Sequence, residues 1–295
     1  MRLGYFPGCS LHATAREYAD SVTEVAGRLD VQLDEIRDWA CCGATSAHAT
    51  DRFLGVALPA RTLALAAEQG CDRVLAPCAA CFSRLATARH ELRRDPALAT
   101  KVREALGREP VVDVAVMNVV DMLAGELAQI AARVQRPLTG LRVACYYGCL
   151  LVRPAEIAGA GDVEAPDVME KVVAALGATP VSWRMRLECC GGSFALSRTG
   201  SVVRLGRAVL EDAAASGADA IAVACPMCQS NLDFRQRAME RVAGRALGLP
   251  IVYLTQLAGL ALGADPARLG LDRHFIPPGP ALDKVRAAAA AGGEA

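Results

Sequence analysis

Ten of the twelve cysteines fall into one pattern written twice. A lone cysteine is followed by Cys-Cys-Gly and then by Cys-x-x-Cys. The first set is Cys9, Cys41, Cys42, Cys78 and Cys81; the second is Cys149, Cys189, Cys190, Cys225 and Cys228. The gaps are 31, 35 and 2 residues in the first set and 39, 34 and 2 in the second. Thiolates are soft ligands for zinc and iron. Two such sets argue for two metal centres, one in each half of the chain.

The spacing says more. Cysteines three apart at a helix start put both sulfurs on one face. The free amides and the positive dipole end there favour thiolate over thiol. Pro226, inside the second Cys-x-x-Cys, suits a first helical turn because it needs no donor there. Gly43 and Gly191 let the backbone take a positive φ or approach a bulky inorganic core. Adjacent cysteines on an extended chain point to opposite sides. They serve one small ion poorly and two irons of one cluster well. Structural zinc and an ordinary cubane cluster each take four ligands, whereas each set here offers five. Cys-x-x-Cys alone fits zinc as well as iron; the doubled Cys-Cys-Gly tips the balance to iron. The closely spaced ferredoxin run and a glycine-rich dinucleotide fingerprint are both missing from the sequence. Neither ordinary cubanes nor a flavin are expected.

The elements that must position these thiols repeat as well. Residues 2–11 (RLGYFPGCSL) lie over residues 142–151 (RVACYYGCLL) without a gap. Both read as a short strand ending in an aromatic-rich turn and Gly-Cys. Helical spacing follows over 16–29 and 167–176, then a run into Cys-Cys-Gly over 34–39 and 180–187. Ala-rich helices are expected over 53–69 and 202–216, closed by Gly70 and Gly217. Short apolar runs, 73–76 and 220–224, read as buried parallel strands that deliver Cys78 and Cys225. Helices over 82–92 and 229–242 come next. A last strand–helix pair is expected at 111–114 with 117–127, and at 251–254 with 256–262.

The fold class is therefore α/β: two pseudo-symmetric repeats of parallel sheet flanked by helices, with metal sites at the strand C-terminal ends. Pro137 and Gly140 interrupt the pattern, so the expected divisions are 1–138, 139–276 and a C-terminal arm, 277–295, mobile at its tip. Cys145 aligns with Tyr5 and Cys71 with Ala218; both read as small buried core residues.

A chain of 295 residues holds two domains with real cores. Formal net charge is zero, and no long basic run is present, which argues against a nucleic-acid partner. No signal peptide or membrane-spanning apolar run is read. Clustered cysteines at about 4% of the chain point to metal or redox use in a reducing, cytoplasmic compartment rather than to a disulfide framework.

These motifs, with Tyr5-Phe6-Pro7-Gly8-Cys9, Tyr147-Gly148-Cys149, Leu151-Val152-Arg153-Pro154 and Cys225-Pro226-Met227-Cys228-Gln229, closely resemble the B subunit of heterodisulfide reductase and its bacterial relatives. The resemblance runs from residue 1 to about 276. It implies two non-cubane [4Fe-4S] clusters, each held by the five cysteines of one set. It also implies a disulfide, persulfide or carrier-bound dithiol substrate between the clusters. The implied partners are a ferredoxin-like two-cluster subunit, of the C type, plus a flavin-containing subunit, of the A type.

His12, Arg16 and His48 follow cysteines of the first set, and Arg153 follows Cys149 of the second. They are candidates for proton transfer or for holding an acidic substrate tail. Taken singly, each also fits loop surface or a structural hydrogen bond. The Ala, Arg and Gly richness suggests a GC-rich bacterial genome and weakens the methanogen coenzyme pair as the substrate. Two other functions stay open. One is an electron-transfer iron–sulfur subunit of a quinone-linked, lactate- or glycolate-type dehydrogenase. The other is a structural zinc protein or assembly scaffold.

Overall fold

Parallel pairing of short, buried strands organises both halves in the same way. The computed structural model describes residues 1–45, 47–158 and 162–292. The first sheet consists of β1 (Arg2–Tyr5), β2 (Gln32–Glu35), β3 (Arg73–Leu75) and β4 (Ala115–Met117), in the order β2-β1-β3-β4. The second consists of β5 (Arg142–Tyr146), β6 (Thr179–Val181), β7 (Ala220–Val223) and β8 (Ile251–Tyr253), in the order β6-β5-β7-β8. Every pairing is parallel. The register sets Tyr5 beside Leu75 and Tyr146 beside Val223, so the central strands of each sheet end level. Helices cover both faces, which is why β7 reads as an unbroken apolar run and is buried at all four positions.

Helical crossovers make the parallel order possible. Arg16–Arg28 joins β1 to β2 and buries Tyr18, Val22, Val25 and Ala26, one stripe at helical spacing. Arg52–Glu68 and Thr199–Ala215 follow the two Cys-Cys-Gly motifs. Gly70 and Gly217, just past their ends, have φ of +73° and +75°. Ala79–Arg94 and Pro226–Asp233 follow β3 and β7.

Three expectations need correction. The fourth strand of the first half lies at Ala115–Met117, not at 111–114. The Val112 carbonyl is taken by Arg89 and Arg93 rather than by a ladder. An extra helix, Pro96–Leu106, capped by Asp95 and ended by Gly107, pushes the strand along the chain. Secondly, the helix expected over 229–242 is two helices, Pro226–Asp233 and Gln236–Ala243. Buried Gln236 holds both backbone groups of Leu249, at 2.8 and 2.9 Å, and this ties the second piece to the strand that follows. Thirdly, the expected C-terminal arm is a helix, Gly279–Gly292. Its Ala281 is buried and its Lys284 ammonium pairs with Asp219 at 2.5 Å. Residues 293–295, the tip expected to move, lie outside the described residues.

The two halves share one apolar core. At their junction Tyr18 stacks flat on Tyr253, with ring centroids 4.0 Å apart and planes 4° from parallel. Ser21 and Thr255 hydroxyls lie 2.7 Å apart. Arg28 donates to the Leu262 carbonyl at 2.8 Å. Among the described residues no helix is long and apolar enough to cross a membrane.

Candidate metal centre

The C-terminal ends of β1, β3, β5 and β7 lead directly to Cys9, Cys78, Cys149 and Cys225. The fold supplies each of the ten cysteines in two equivalent ways. Cys78 and Cys225 are N-cap residues with extended backbone, heading Ala79–Arg94 and Pro226–Asp233. Their carbonyls accept the first helical bonds, from Phe82 at 2.9 Å and Gln229 at 3.0 Å. Cys81 and Cys228 then sit on the first turn, over the amide-rich helix end.

Each Cys-Cys-Gly turns at its glycine, with φ of +77° at Gly43 and +82° at Gly191. The turn lets the Gly43 amide donate to the Cys41 sulfur at 3.4 Å and the Gly191 amide to the Cys189 sulfur at 3.3 Å. A side chain at Gly191 would meet the Val202 Cα at 3.1 Å, and one at Gly43 the Ala47 Cβ at 2.9 Å.

The sulfurs form matching chains. Cys42 and Cys81 sulfurs lie 3.4 Å apart, and Cys190 and Cys228 sulfurs 3.6 Å. Cys149 lies 4.0 Å from Cys189. Burial raises Cys41, with smaller contributions from Cys42 and Cys9. Within each Cys-x-x-Cys the two thiols also couple. Cys78 and Cys225, one from each set, are both buried beside the stacked Tyr18–Tyr253 pair at the junction of the halves.

Proton sharing splits the thiols. A neighbouring S–H lowers Cys42 to about 7 and Cys189 to about 6, from Cys81 and Cys149 respectively. Cys228 and then Cys78 hold Cys225 well below an ordinary thiol. Their partners Cys81, Cys149 and Cys228 are pushed up by the same contacts, and Cys78 by Cys225. Six thiols are buried; Cys9, Cys41 and Cys189 are exposed and Cys149 is half-buried. Each set therefore has a closed inner end and an open outer end.

Ten thiols in two sets of five form a soft donor set that fits iron–sulfur chemistry.

The remaining candidates are scattered. His12 Nε2 lies 3.2 Å from the Glu35 carboxylate and packs edge-on to Trp39. Arg16 donates to the His12 carbonyl at 3.3 Å. It lines a cleft of about 660 Å³ between the halves, with Gln229 and Ser230 of the second Cys-x-x-Cys helix and Arg273. His48 Nδ1 is 3.3 Å from the Gly43 carbonyl, so it braces the first Cys-Cys-Gly turn. Arg153 is paired with Glu164 at the surface, at 2.9 Å through Nη2. Cys145 is fully buried in β5, and Cys71 packs against Gly4 of β1.

Sequence reasoning missed three contributors. A Cβ at Gly8 would meet the Cys81 sulfur at 2.8 Å, and one at Gly148 the Cys228 sulfur at 3.2 Å. Both glycines have positive φ, and the ungapped Gly-Cys repeat was the available signal. Asn231 donates to the Cys190 carbonyl at 3.3 Å and faces its sulfur at 3.7 Å. The third is the Tyr18–Tyr253 stack, beside Cys78 and Cys225.

A cysteine-rich domain model named CCG matches residues 3–86 and again residues 143–233. The chain belongs to the cysteine-rich CCG domain family. Among CCG relatives, it is 33% identical over 273 residues to the 8-methylmenaquinol:fumarate reductase membrane anchor subunit of Wolinella succinogenes, covering 92% of this chain and 96% of that one. It is 30% identical over 290 residues to the B subunit of the ferredoxin/F(420)H(2)-dependent CoB-CoM heterodisulfide reductase of Methanosarcina acetivorans, covering 93% and 94%. A protein of Archaeoglobus profundus, described as like the heterodisulfide reductase B subunit, is 26% identical, covering 91% and 93%. A solved structure of a hypothetical protein from Helicobacter pylori has the same fold, with a TM-score of 0.77 at 13% identity. That match covers 93% of this chain and 52% of the other. Membership of the CCG family and the heterodisulfide reductase relatives support an iron–sulfur oxidoreductase subunit.

Proposed function

We propose that the chain is the iron–sulfur subunit of a heterodisulfide reductase-like complex and handles a disulfide with two non-cubane [4Fe-4S] clusters, one on each cysteine set. The observation that carries this reading is the pair of like cysteine sets in two halves that share one core, with Cys78 and Cys225 both buried beside the Tyr18–Tyr253 stack. Opening a disulfide consumes two electrons and two protons and leaves two thiols. Two one-electron centres side by side match that demand; one centre alone does not. Bound clusters would supply the one-electron chemistry.

The chain's own groups do the rest. Cys9, Cys41, Cys42, Cys78 and Cys81 would hold one core, and Cys149, Cys189, Cys190, Cys225 and Cys228 the other. The Gly43 and Gly191 amides and the two helix starts stabilise sulfur as thiolate. Arg16 and Arg273 offer positive charge to an anionic part of the substrate in the inter-half cleft. His12, which ends the Cys9 helix and packs against Glu35 and Trp39, is assigned to proton transfer. Arg153 and His48 are bound up in local pairs and serve the loops that carry Cys149 and Cys42. A flavin subunit, with a ferredoxin-like two-cluster subunit between it and this chain, would bring electrons, in the cytoplasm.

The test is anaerobic purification of the complex, reduction, and addition of disulfides and then quinones. Reoxidation of the cluster spectrum by a disulfide is expected. A second reading is favoured by the Wolinella relative: electron transfer in a quinone-linked dehydrogenase. Reoxidation by quinone alone, with no response to any disulfide, would establish it and defeat the first.

A further inference from the structure

The two halves differ outside their sulfurs. In the first, Pro96–Leu106 packs over Arg52–Glu68 and closes a small apolar cluster of Val56, Ala57, Ala60, Leu98 and Val102. The arginines of that face are spent on ion pairs, Arg52 with Glu91 and Arg61 with Asp38.

In the second half Gln236–Ala243 takes the corresponding place against Thr199–Ala215, but with a different lining. Between Thr199–Ala215 and Gln236–Ala243 lies a groove of about 550 Å³ lined by Arg204, Arg207, Arg235 and Arg241. Among the described residues Arg204 and Arg241 have no acidic partner. Arg207 faces Glu211, its Nε 3.8 Å from the carboxylate.

Apolar surface adjoins this charge. Leu196 is 97% exposed, and Phe194, Phe234 and Val242 are exposed as well. Arg235 knits the patch together: it donates to the Ala195 carbonyl at 2.7 Å and lies over the Phe234 ring. The loop bearing Phe194 and Leu196 directly follows Cys189 and Cys190. Asn231, one turn from Arg235, touches Cys190.

We propose that this face of the second half is the docking surface for an acidic electron-carrier protein, so that electrons enter at the Cys189/Cys190 set. Charge complementarity selects the occupant: Arg204 and Arg241, with no acidic partner among the described residues, beside exposed Leu196, Phe194 and Phe234 fit an acidic rim around an apolar contact. The proposal rests on the iron–sulfur reading above. Each electron passes singly, oxidising the carrier's reduced cluster and reducing the second centre.

The test uses the anaerobically purified, cluster-loaded chain and an acidic two-[4Fe-4S] ferredoxin, pre-reduced and freed of reductant. Stopped-flow absorbance follows reduction of the chain. For the wild type, a rate that falls steeply with salt is expected. The double variant R204E/R241E, and separately Leu196→Asp, should slow it by about tenfold or more at low salt. Leu54→Asp, on the first half, should leave it unchanged. Reduced methyl viologen should reduce all forms equally.

If viologen reduces nothing, the iron–sulfur reading fails. If viologen works but the groove variants accept electrons from ferredoxin at the wild-type rate, the docking proposal is overturned. It is overturned equally if the variants abolish only flotation on anionic vesicles, or only dimerisation in size-exclusion chromatography.

Discussion

Replacing Gly8 by alanine isolates the role of the Gly-Cys turn. The new Cβ would lie 2.8 Å from the Cys81 sulfur. Ordinary carbon contacts fall at roughly 3.5–4.0 Å, and sulfur is larger. The thiol must therefore move by about 0.7 Å or more, against a tolerance of roughly 0.2 Å in a metal–sulfur bond. Alanine at this left-handed position also carries a backbone cost of about 1–2 kcal/mol. Gly70→Ala is the matched control, because φ there is +73° and nothing lies within 4 Å. Gly148→Ala is intermediate, with its sulfur contact at 3.2 Å. The assay is iron per chain after anaerobic purification, with thermal denaturation alongside. Gly8→Ala should lose about half the iron, that of the first set. Gly148→Ala should keep most of its iron with an altered visible spectrum. Gly70→Ala should lose stability but no iron. Equal iron in Gly8→Ala and Gly70→Ala would refute the idea that Gly8 makes room for a ligating sulfur.

The other expectations are simpler. Cys225→Ser should lower iron from about eight to about four per chain, read by elemental analysis; unchanged iron would remove Cys225 from the ligand set. Asn231→Leu removes a donor facing the Cys190 sulfur. Hydrogen bonds to ligating sulfur favour the reduced state, so redox titration should show a more negative second centre at full iron content. Tyr18→Phe leaves the buried Pro77 carbonyl without its 3.1 Å donor. It should cost about 1–2 kcal/mol in denaturant unfolding while the spectrum stays unchanged. Arg16→Gln should raise the KM for an anionic disulfide, whereas Arg153→Gln, whose arginine is paired with Glu164, should not. Equal effects would remove the inter-half cleft from the substrate route.

The central strands were legible because parallel strands buried on both faces must be short apolar runs, and 73–75 and 220–223 are such runs. The thiols were legible because strand ends and helix starts gather them without long-range packing. What stayed hidden depended on contacts between distant segments. The Gly8–Cys81 and Gly148–Cys228 approaches join residues far apart in the chain. Neither half's second helix before its last strand, Pro96–Leu106 or Gln236–Ala243, was read as a separate element, and in the first half β4 was placed four residues early. The C-terminal helix, rich in Ala and Gly, carries little periodic signal and gains its place from Lys284 on Asp219. Above all, how the halves pack around Tyr18 and Tyr253, with Cys78 and Cys225 buried beside that stack, is recorded by no spacing within either half.

Anomalous X-ray scattering from anaerobically grown crystals, recorded at the iron and zinc edges, tests the two-centre arrangement most directly. It should reveal two separate iron assemblies, one in each half, each surrounded by the five sulfurs of one set. A zinc signal at either set, or iron bound to fewer than two of the sets in fully loaded protein, would contradict it.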